Sequence, residues 1–306
     1  MNFYKISIFC LASEVEFPEL IPIEGDVEAV DITVRLGTVE AVDTDAVDCD
    51  TVGSRNLIGR IPHVAKFSFV DGCEITVEPL SHVDEALLRT TILGPALCLL
   101  LEQRGLLVLH ASCININHQA VAFMGGSGWG KSTLATAFHR KGYDALTDDV
   151  MPLSVTQNQA LVLPSYPQFK VAPEALASLG ADVDRLSPVY KDCGKLSYRF
   201  AKGFQKEPLP LRRVYVLRKG DRHEITPATR QEAFSELIRH TRTIDLLKEH
   251  KDLISQHFQL CTQLIQQVSF GYFTRKPALE DLPKLVALVE DDIAKLSSHD
   301  LLTPAR

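Results

Sequence analysis

The sequence predicts an α/β fold in which a small β-rich domain precedes a larger domain of alternating strands and helices. A strand-like segment, a glycine-rich loop and a helical segment follow one another near the middle of the chain. β-Branched segments recur before this unit, and helical and strand-like segments alternate after it. We therefore predict two domains, residues 1–82 and residues 83–306.

The first domain is predicted to consist of strands, because four of its segments alternate in polarity or are rich in β-branched residues. Residues 14–50 are strongly acidic and contain Arg35 as their single basic residue. Such a run is typical of a solvated face, and docking of a basic partner segment is the alternative. The four predicted strands are residues 3–9, 30–34, 66–70 and 74–77.

The second domain is predicted to begin with one helix over residues 84–104, whose apolar residues form a nearly continuous stripe. Gly105 follows it as a C-terminal cap. The apolar residues 92–101 are far fewer than the roughly 20 that span a bilayer. Short strands are expected at residues 106–109 and 114–117.

The strand–loop–helix unit comes next, with an apolar strand at residues 120–124 and a helix at residues 131–141. The loop between them has the Walker A pattern, whose successive N–H groups surround phosphates at a helix N-terminus. Its spacing and flanks favour this interpretation over an ordinary glycine-rich turn. The residues expected to bind a nucleoside triphosphate are Gly125, Gly126, Ser127, Gly128, Trp129, Gly130, Lys131, Ser132 and Thr133.

Within this loop, Lys131 is expected to reach the β- and γ-phosphates, and Ser132 to bind Mg²⁺. Trp129 occupies a variable position of the pattern, where packing is favoured over covering a face of the nucleotide. No motif that would read a base is identifiable, so ATP is the expected donor.

Two adjacent carboxylates, Asp148 and Asp149, follow the next predicted strand, residues 143–147. We expect this strand to return beside the Walker strand by a right-handed crossover, so that both carboxylates face the phosphates. One carboxylate can then hold Mg²⁺ while the other accepts a proton from an attacking hydroxyl. A turn-forming Asp pair at a strand end is the alternative.

His110 ends the strand that lies two strands before the Walker strand, residues 120–124. If that strand belongs to the same sheet, His110 lies at the same edge, where it could orient the nucleophile or contact the γ-phosphate or an Asp. An ordinary histidine at a strand end is the alternative.

The rest of the chain is predicted to contain a hairpin, a loop, a basic segment and further strands and helices. The basic segment, residues 182–206, is either a solvated loop or a lid that brings a cation to the phosphates, with Lys191, Lys195 and Arg199 as candidates. The hairpin is placed at residues 150–163, the loop at 164–173, the strands at 211–217 and 270–274, and the helices at 228–240, 251–268 and 279–296.

Composition narrows the function classes. The net charge of −7 and the pI near 5.8 argue against nucleic-acid binding, which requires a basic face. The start of the chain lacks the basic and apolar regions of a signal peptide, and no membrane association is expected. Seven scattered cysteines without a CxxC pair indicate buried free thiols in a reducing cytoplasm.

The residues around His110, the loop and the Asp pair resemble the catalytic domain of HPr kinase/phosphorylase, a P-loop kinase family whose core is similar to that of PEP carboxykinases. A broader group of HPr-kinase-like proteins, some encoded with peptide-tailoring pathways such as those of lasso peptides, resembles most of this chain. The segments that carry the likeness are Leu109-His110-Ala111-Ser112, the Gly-x-Ser-Gly-x-Gly-Lys-Ser loop, Leu146-Thr147-Asp148-Asp149, and residues 3–13, 103–111 and 208–217.

This resemblance implies a P-loop kinase domain of the HPr-kinase/PEP-carboxykinase type, preceded by a β-rich domain that recognises a substrate or partner. It also implies ATP and Mg²⁺ as cofactors, Lys131 on the phosphates, and Ser132 with Asp148 on the metal. Asp149 is implied as the base, assisted by His110, although the two Asp roles could be exchanged. The implied partners are a protein or peptide substrate, such as a precursor peptide, and further copies of the chain.

The chain departs from true HPr kinase/phosphorylases in one segment. The Glu-x-Arg-Gly sequence that they carry after the Asp pair is not found, and residues 192–195 are the nearest stretch. The resemblance therefore extends neither to phosphorolysis nor to HPr as the acceptor. We expect an ATP- and Mg²⁺-dependent phosphotransferase acting on a serine or threonine hydroxyl. The alternatives are a small-molecule kinase and a nucleotide-binding regulatory protein with little catalysis.

Overall fold

The computed structural model describes residues 1–39, 50–51, 55–248 and 250–300. Their fold is mixed α/β, with an eight-stranded, a nine-stranded and a two-stranded sheet. Residues 40–49 of the predicted acidic run, and Cys49 with them, lie outside the described residues, as do residues 301–306 of the predicted second domain. The division at residues 82 and 83 stays a prediction.

The strands and helices are numbered in chain order. The strands are β1 (Asn2–Ile6), β2 (Phe9–Ser13), β3 (Ile21–Pro22), β4 (Ile32–Leu36), β5 (Asp50–Thr51), β6 (Asn56–Ile61), β7 (Ala65–Val70), β8 (Glu74–Pro79), β9 (Leu107–Leu109), β10 (Ala111–Ile116), β11 (Gln119–Met124), β12 (Ala145–Thr147), β13 (Met151–Val155), β14 (Ala160–Val162), β15 (Gln168–Val171), β16 (Leu196–Arg199), β17 (Leu209–Lys219), β18 (Glu224–Pro227) and β19 (Ser269–Arg275). The helices are α1 (Glu85–Thr91), α2 (Leu97–Gln103), α3 (Lys131–Lys141), α4 (Pro173–Ser178), α5 (Arg230–Arg239), α6 (Ile244–Lys248), α7 (Lys251–Gln267) and α8 (Leu282–Asp300).

The eight-stranded sheet contains β1 to β8 in the order β3-β1-β2-β4-β8-β7-β6-β5. The predicted single strand at residues 3–9 is instead a hairpin of β1 and β2, with Ser7 at a φ of 58° in the turn. Alternating side chains of β7, among them Phe67 and Phe69, are buried in one cluster with Leu97 and other apolar residues of α1 and α2. This packing brings the N-terminal strands against the segment that leads to the glycine-rich loop.

The predicted helix at residues 84–104 is interrupted. A π-helical turn, Ile92–Ala96, separates α1 from α2, and Gly94 in it has a φ of −105° and a ψ of −109°. Pro95 contributes to the break, because proline lacks an N–H donor and its ring clashes with the preceding turn. Gly105 ends α2 as expected, at a φ of 83°, and Leu106 N donates to the carbonyl of Leu101 at 3.1 Å.

The nine-stranded sheet corrects the expected neighbour of the Walker strand. β12 pairs with β10 and not with β11, because β10 and β11 form a tight hairpin and β10 occupies the position beside β11. β10 is antiparallel to both neighbours, so β11 and β12 still run in the same direction. Their C-terminal ends therefore meet at one edge, where the loop and Asp148 follow.

The long strand β17 joins the two halves of this sheet. Its first residues pair with β14, and its later residues pair with β11 and β19. Beyond β14 lie β13 and β9, so β9 and β10 stand near opposite ends of the order β12-β10-β11-β17-β14-β13-β9. His110 is the one residue between β9 and β10, and the sheet must therefore curl until its two sides meet at His110.

The remaining elements confirm most predictions and correct two. The hairpin of β13 and β14 and the bounds of α3 are as predicted, and Gly142 ends α3 at a φ of 106°. The predicted loop at residues 164–173 contains β15, which pairs with β16 of the predicted irregular segment. All six cysteines in the described residues are free, but Cys73 is exposed and only Cys98, Cys113 and Cys261 are buried. None of the described helices is both long and apolar enough to cross a membrane.

Candidate active site

The loop between β11 and α3 has the geometry of a phosphate cradle. Gly128 and Gly130 have φ values of 72° and 75°, a conformation that glycine adopts without strain. A Cβ built on Gly128 meets no atom within 4 Å, so the loop is open on that side. Lys131 begins α3, and its Nζ donates to the carbonyls of Gly125 and Gly126 at 2.9 and 3.2 Å.

The loop is also packed from outside. A Cβ on Gly126 would lie 2.9 Å from the indole nitrogen of Trp129, so the ring lies directly on the loop backbone, in agreement with the predicted packing role. A Cβ on Gly130 would lie 2.7 Å from Arg275 Nη2. The loop thus lies between an aromatic ring and a guanidinium, and a side chain at either position would force one of these groups to shift.

Asp148 follows β12, and its buried side chain reaches the first turn of α3. Its Oδ1 accepts hydrogen bonds from Ser132 Oγ at 2.8 Å and from Ser112 Oγ at 2.5 Å, and its Oδ2 accepts one from the Lys170 N–H at 2.9 Å. Burial raises the pKa of Asp148, against the lowering effect of these hydrogen bonds. The loop hydroxyl and a downstream carboxylate are thus in direct contact.

This pair fits a nucleotide-bound Mg²⁺. Mg²⁺ at such sites takes one or two protein oxygens and completes its octahedron with water and phosphate oxygens. Ser132 Oγ and Asp148 Oδ1 are hard oxygen donors that already lie 2.8 Å apart, beside the loop. Ser132 and Asp148 would therefore hold the ion, which would neutralise phosphate charge.

Asp149 has a different environment from Asp148, although the two are adjacent. Its φ of 73° turns its side chain away from that of Asp148. Its carboxylate binds Lys170 Nζ at 3.0 Å, His110 Nε2 at 3.2 Å and both terminal nitrogens of Arg242. Burial alone would raise the pKa of Asp149, but Lys170, Arg242 and His110 outweigh it and hold this pKa well below its usual range. Asp149 is therefore ionised at neutral pH.

His110 lies at this edge of the sheet, as predicted, and its backbone N–H donates to the carbonyl of His240 at 3.0 Å. Burial, with the positive charge of Lys131, lowers the pKa of His110 to about 3, although Asp149 favours the protonated form. The imidazole is therefore neutral at pH 7, and its Nε2–H can donate to Asp149.

We predict that His110 makes the protein less stable as the pH falls from 7 to 5. Its pKa is below that of an unfolded histidine, so the unfolded chain binds more protons below about pH 6.5. The loss attributable to His110 is expected to reach about 1–2 kcal/mol at pH 5. The groups that set this titration are Lys131, Asp149, Arg242 and Lys195. Urea unfolding at each pH measures it.

His110→Asn should flatten this pH dependence, whatever its effect on stability at pH 7. His118→Asn is the matched control, because His118 is exposed in the β10–β11 turn at a φ of 61°, which asparagine tolerates. An equal slope in the wild type and in His110→Asn would contradict the assignment of a neutral His110.

One cavity of about 860 Å³, a size suited to a nucleotide, is bordered by His110, Ser132, Asp148, Asp149 and Arg242. Of the predicted loop residues, Ser127, Gly128, Gly130, Lys131, Ser132 and Thr133 line it, whereas Gly125, Gly126 and Trp129 do not. Among the described residues, the charged groups of the lining are six cations and three carboxylates: Lys131, Lys170, Lys195, Lys219, Arg242, Arg275, Asp148, Asp149 and Glu174. The cavity is positive although the whole chain carries −7.

The structure divides the three lid candidates. Lys195 lines the cavity, whereas Lys191 is exposed outside the lining and Arg199 donates to the Pro18 carbonyl at 2.7 Å. The sequence analysis missed Lys170 and Arg242, which lie in a predicted loop and just after a predicted helix. No local pattern distinguishes them from other basic residues.

Comparison with known proteins gives a limited result. No family model and no curated protein matches the chain. Solved structures do match, and one is the HPr(Ser) kinase/phosphatase from Coxiella burnetii, at 13% sequence identity over 63% of this chain and 94% of that chain, with a TM-score of 0.36. Similarity at this level does not place the chain in that enzyme's family.

Proposed function

We propose that this chain is an ATP- and Mg²⁺-dependent kinase of the HPr-kinase-like P-loop type. It transfers the γ-phosphoryl group to a serine or threonine hydroxyl of a protein or peptide. One observation carries the proposal: the two adjacent carboxylates near the loop contact different groups. Asp148 contacts the loop hydroxyl of Ser132 at 2.8 Å, whereas Asp149 turns away towards His110. A protein that only binds a nucleotide needs the first carboxylate and not the second.

In the proposed reaction the acceptor hydroxyl oxygen forms a bond to the γ-phosphorus of ATP. The bond from that phosphorus to the β,γ-bridging oxygen breaks, and its electron pair leaves with ADP. The hydroxyl proton passes to Asp149, which is ionised before the reaction. Phosphoryl transfer has a loose transition state, so the hydroxyl becomes acidic only late and a weak carboxylate base suffices.

The chain's own groups supply position and charge. Lys131 exchanges the loop carbonyls for phosphate oxygens, and the N–H groups of the loop surround the phosphates. His110 orients Asp149 through its Nε2–H. Bound Mg²⁺ would neutralise the charge that develops on the phosphate oxygens.

The choice of a protein or peptide acceptor rests on where the cavity leads. Besides Asp149, its lining includes Tyr190 and Leu87, Thr90 and Thr91 of α1, and Leu87 packs against the apolar cluster that contains residues of the N-terminal sheet. We therefore expect an acceptor segment that reaches Asp149 to pass beside α1. We propose that the N-terminal sheet recognises the rest of that acceptor.

The direct test is incubation of the purified full-length protein with γ-labelled ATP, Mg²⁺ and an extract of its native cells. We expect label in a protein or peptide, at a phosphoserine or phosphothreonine. Label in a metabolite would identify a small-molecule kinase, and label found only as free phosphate would refute the kinase. Omitting Mg²⁺ should abolish transfer.

A further inference from the structure

We propose that Arg242 is a catalytic residue, whose guanidinium contacts the γ-phosphoryl group during transfer, and that Asp149 holds it in place before the nucleotide binds. This inference rests on the proposed kinase function and assigns a role in it to a residue that the sequence analysis did not single out.

Arg242 is connected to the glycine-rich loop through neighbouring side chains. Ser132, Asp148, Lys170, Asp149 and Arg242 form a continuous chain of contacts. Lys170 links the two carboxylates, since its N–H binds one and its Nζ binds the other. If the loop holds the phosphates and the acceptor hydroxyl lies at Asp149, the transferring phosphoryl group lies between the loop and Asp149. The guanidinium on Asp149 is then beside the equatorial oxygens, where negative charge is spread.

The segment that carries Arg242 is fixed on both sides. His240 accepts the backbone N–H of His110 at 3.0 Å, and Thr241 Oγ donates to the Leu237 carbonyl at 3.0 Å. On the other side, the Thr243 hydroxyl binds the buried carboxylate of Glu102. An arginine in so short and anchored a connection is preorganised, and a cation contributes most to a transition state when it needs no rearrangement.

The break between α1 and α2 makes room for this arginine. A Cβ on Gly94 would lie 3.2 Å from Arg242 Nη1, which is closer than ordinary van der Waals contact. The interrupted helix therefore has a use at the site: it lets the guanidinium lie against backbone. A substitution at Gly94 can then disturb Arg242 without removing it.

Charge argues against a purely structural ion pair. One carboxylate, Asp149, holds both an ammonium and a guanidinium, so the cluster keeps an excess of positive charge towards the cavity. The two bonds to Asp149 use two of the five N–H donors of the guanidinium. The remaining donors suit a second anion, and the three equatorial oxygens of a phosphoryl group match a forked guanidinium.

Titration calorimetry on the full-length protein tests this assignment. The probe is ADP with Mg²⁺ and aluminium fluoride, which imitates the transferring phosphoryl group, and ADP with Mg²⁺ alone is the reference. Arg242→Ala should weaken the aluminium fluoride complex by about 100-fold or more and the ADP complex by less than about threefold. Arg242→Lys keeps the positive charge but not the forked pair of donors. Its loss of affinity for the aluminium fluoride complex should therefore lie between those of the wild type and Arg242→Ala.

Arg239→Ala is the matched control, since Arg239 is exposed on α5 and pairs with Glu236. It should bind both probes as the wild type does. If Arg242→Ala does not fold, Gly94→Ala replaces it, with an expected selective loss of about tenfold. Two outcomes would overturn the role of Arg242. In one, the variants bind each probe as tightly as the wild type does. In the other, they lose the same factor of affinity for both probes.

The proposed function fails in a different way. If the wild type binds no Mg²⁺–ATP or transfers no label to an acceptor, the kinase itself is refuted. If the wild type transfers label and Arg242→Ala still forms the aluminium fluoride complex normally, only the role of Arg242 is refuted.

Discussion

Asp149→Asn is expected to abolish most phosphotransfer while ATP still binds. Asparagine keeps the shape of the side chain but cannot accept the hydroxyl proton, and loss of a general base costs about 10²–10⁴-fold. The substitution also releases Arg242 and Lys170 from Asp149, so these cations become available to the phosphates. Affinity for Mg²⁺–ATP should therefore stay the same or rise. The rate of label transfer and calorimetric binding measure the two effects.

The same variant should lose stability when no nucleotide is bound. It leaves two partly buried cations without their carboxylate, which we expect to lower the free energy of unfolding by about 2–3 kcal/mol. A saturating triphosphate should restore part of this loss, because it binds only the folded state. Asp184→Asn, at an exposed position outside the cavity, is the control. Transfer at the wild-type rate in Asp149→Asn would show that Asp149 is not the base.

Lys131→Met is expected to lower phosphotransfer by about 10³-fold and to weaken Mg²⁺–ATP binding. Lys131 is the ammonium closest to the loop, and burial lowers its pKa to about 8, so it is still mostly charged at pH 7. Methionine has a similar length and fills the same space without the charge. Initial rates at several ATP concentrations separate the loss in kcat from the loss in affinity.

Lys141→Met is the control for this variant. Lys141 lies at the other end of α3 and pairs with Glu290 at the surface, where an ion pair contributes about 0–1 kcal/mol. It should leave the reaction unchanged, with a small effect on unfolding. If Lys131→Met retained full ATP affinity and full transfer, the loop would not be a phosphate cradle.

Local features of the sequence were enough for the parts of the site that lie on one strand–loop–helix unit. Glycine spacing predicted the loop, an apolar stripe predicted α3 with its correct bounds, and Gly142 predicted its end. The Asp pair was found because its distance along the chain from the loop fits one helix and one strand. Interactions within a unit of this length are local, and so they are encoded in neighbouring residues.

Predictions that depended on strand neighbours were less successful. β12 was expected beside β11, but the β10–β11 hairpin takes that position. The helix at residues 84–104 was expected to be continuous, because its apolar stripe continues through Gly94 and Pro95. In both cases the sequence pattern is compatible with more than one arrangement, and packing selects among them.

By itself, the sequence predicted the α/β fold that the structure has, and it predicted a phosphate-binding loop, a metal-binding hydroxyl and two candidate carboxylates. Only the tertiary structure decided how the two carboxylates differ, because that depends on Lys170 and Arg242, which are 21 and 93 residues from Asp149. The sequence around a lysine or arginine does not show which carboxylate it will contact. That contact is set only when the chain folds. The different environments of Asp148 and Asp149 therefore come from long-range contacts.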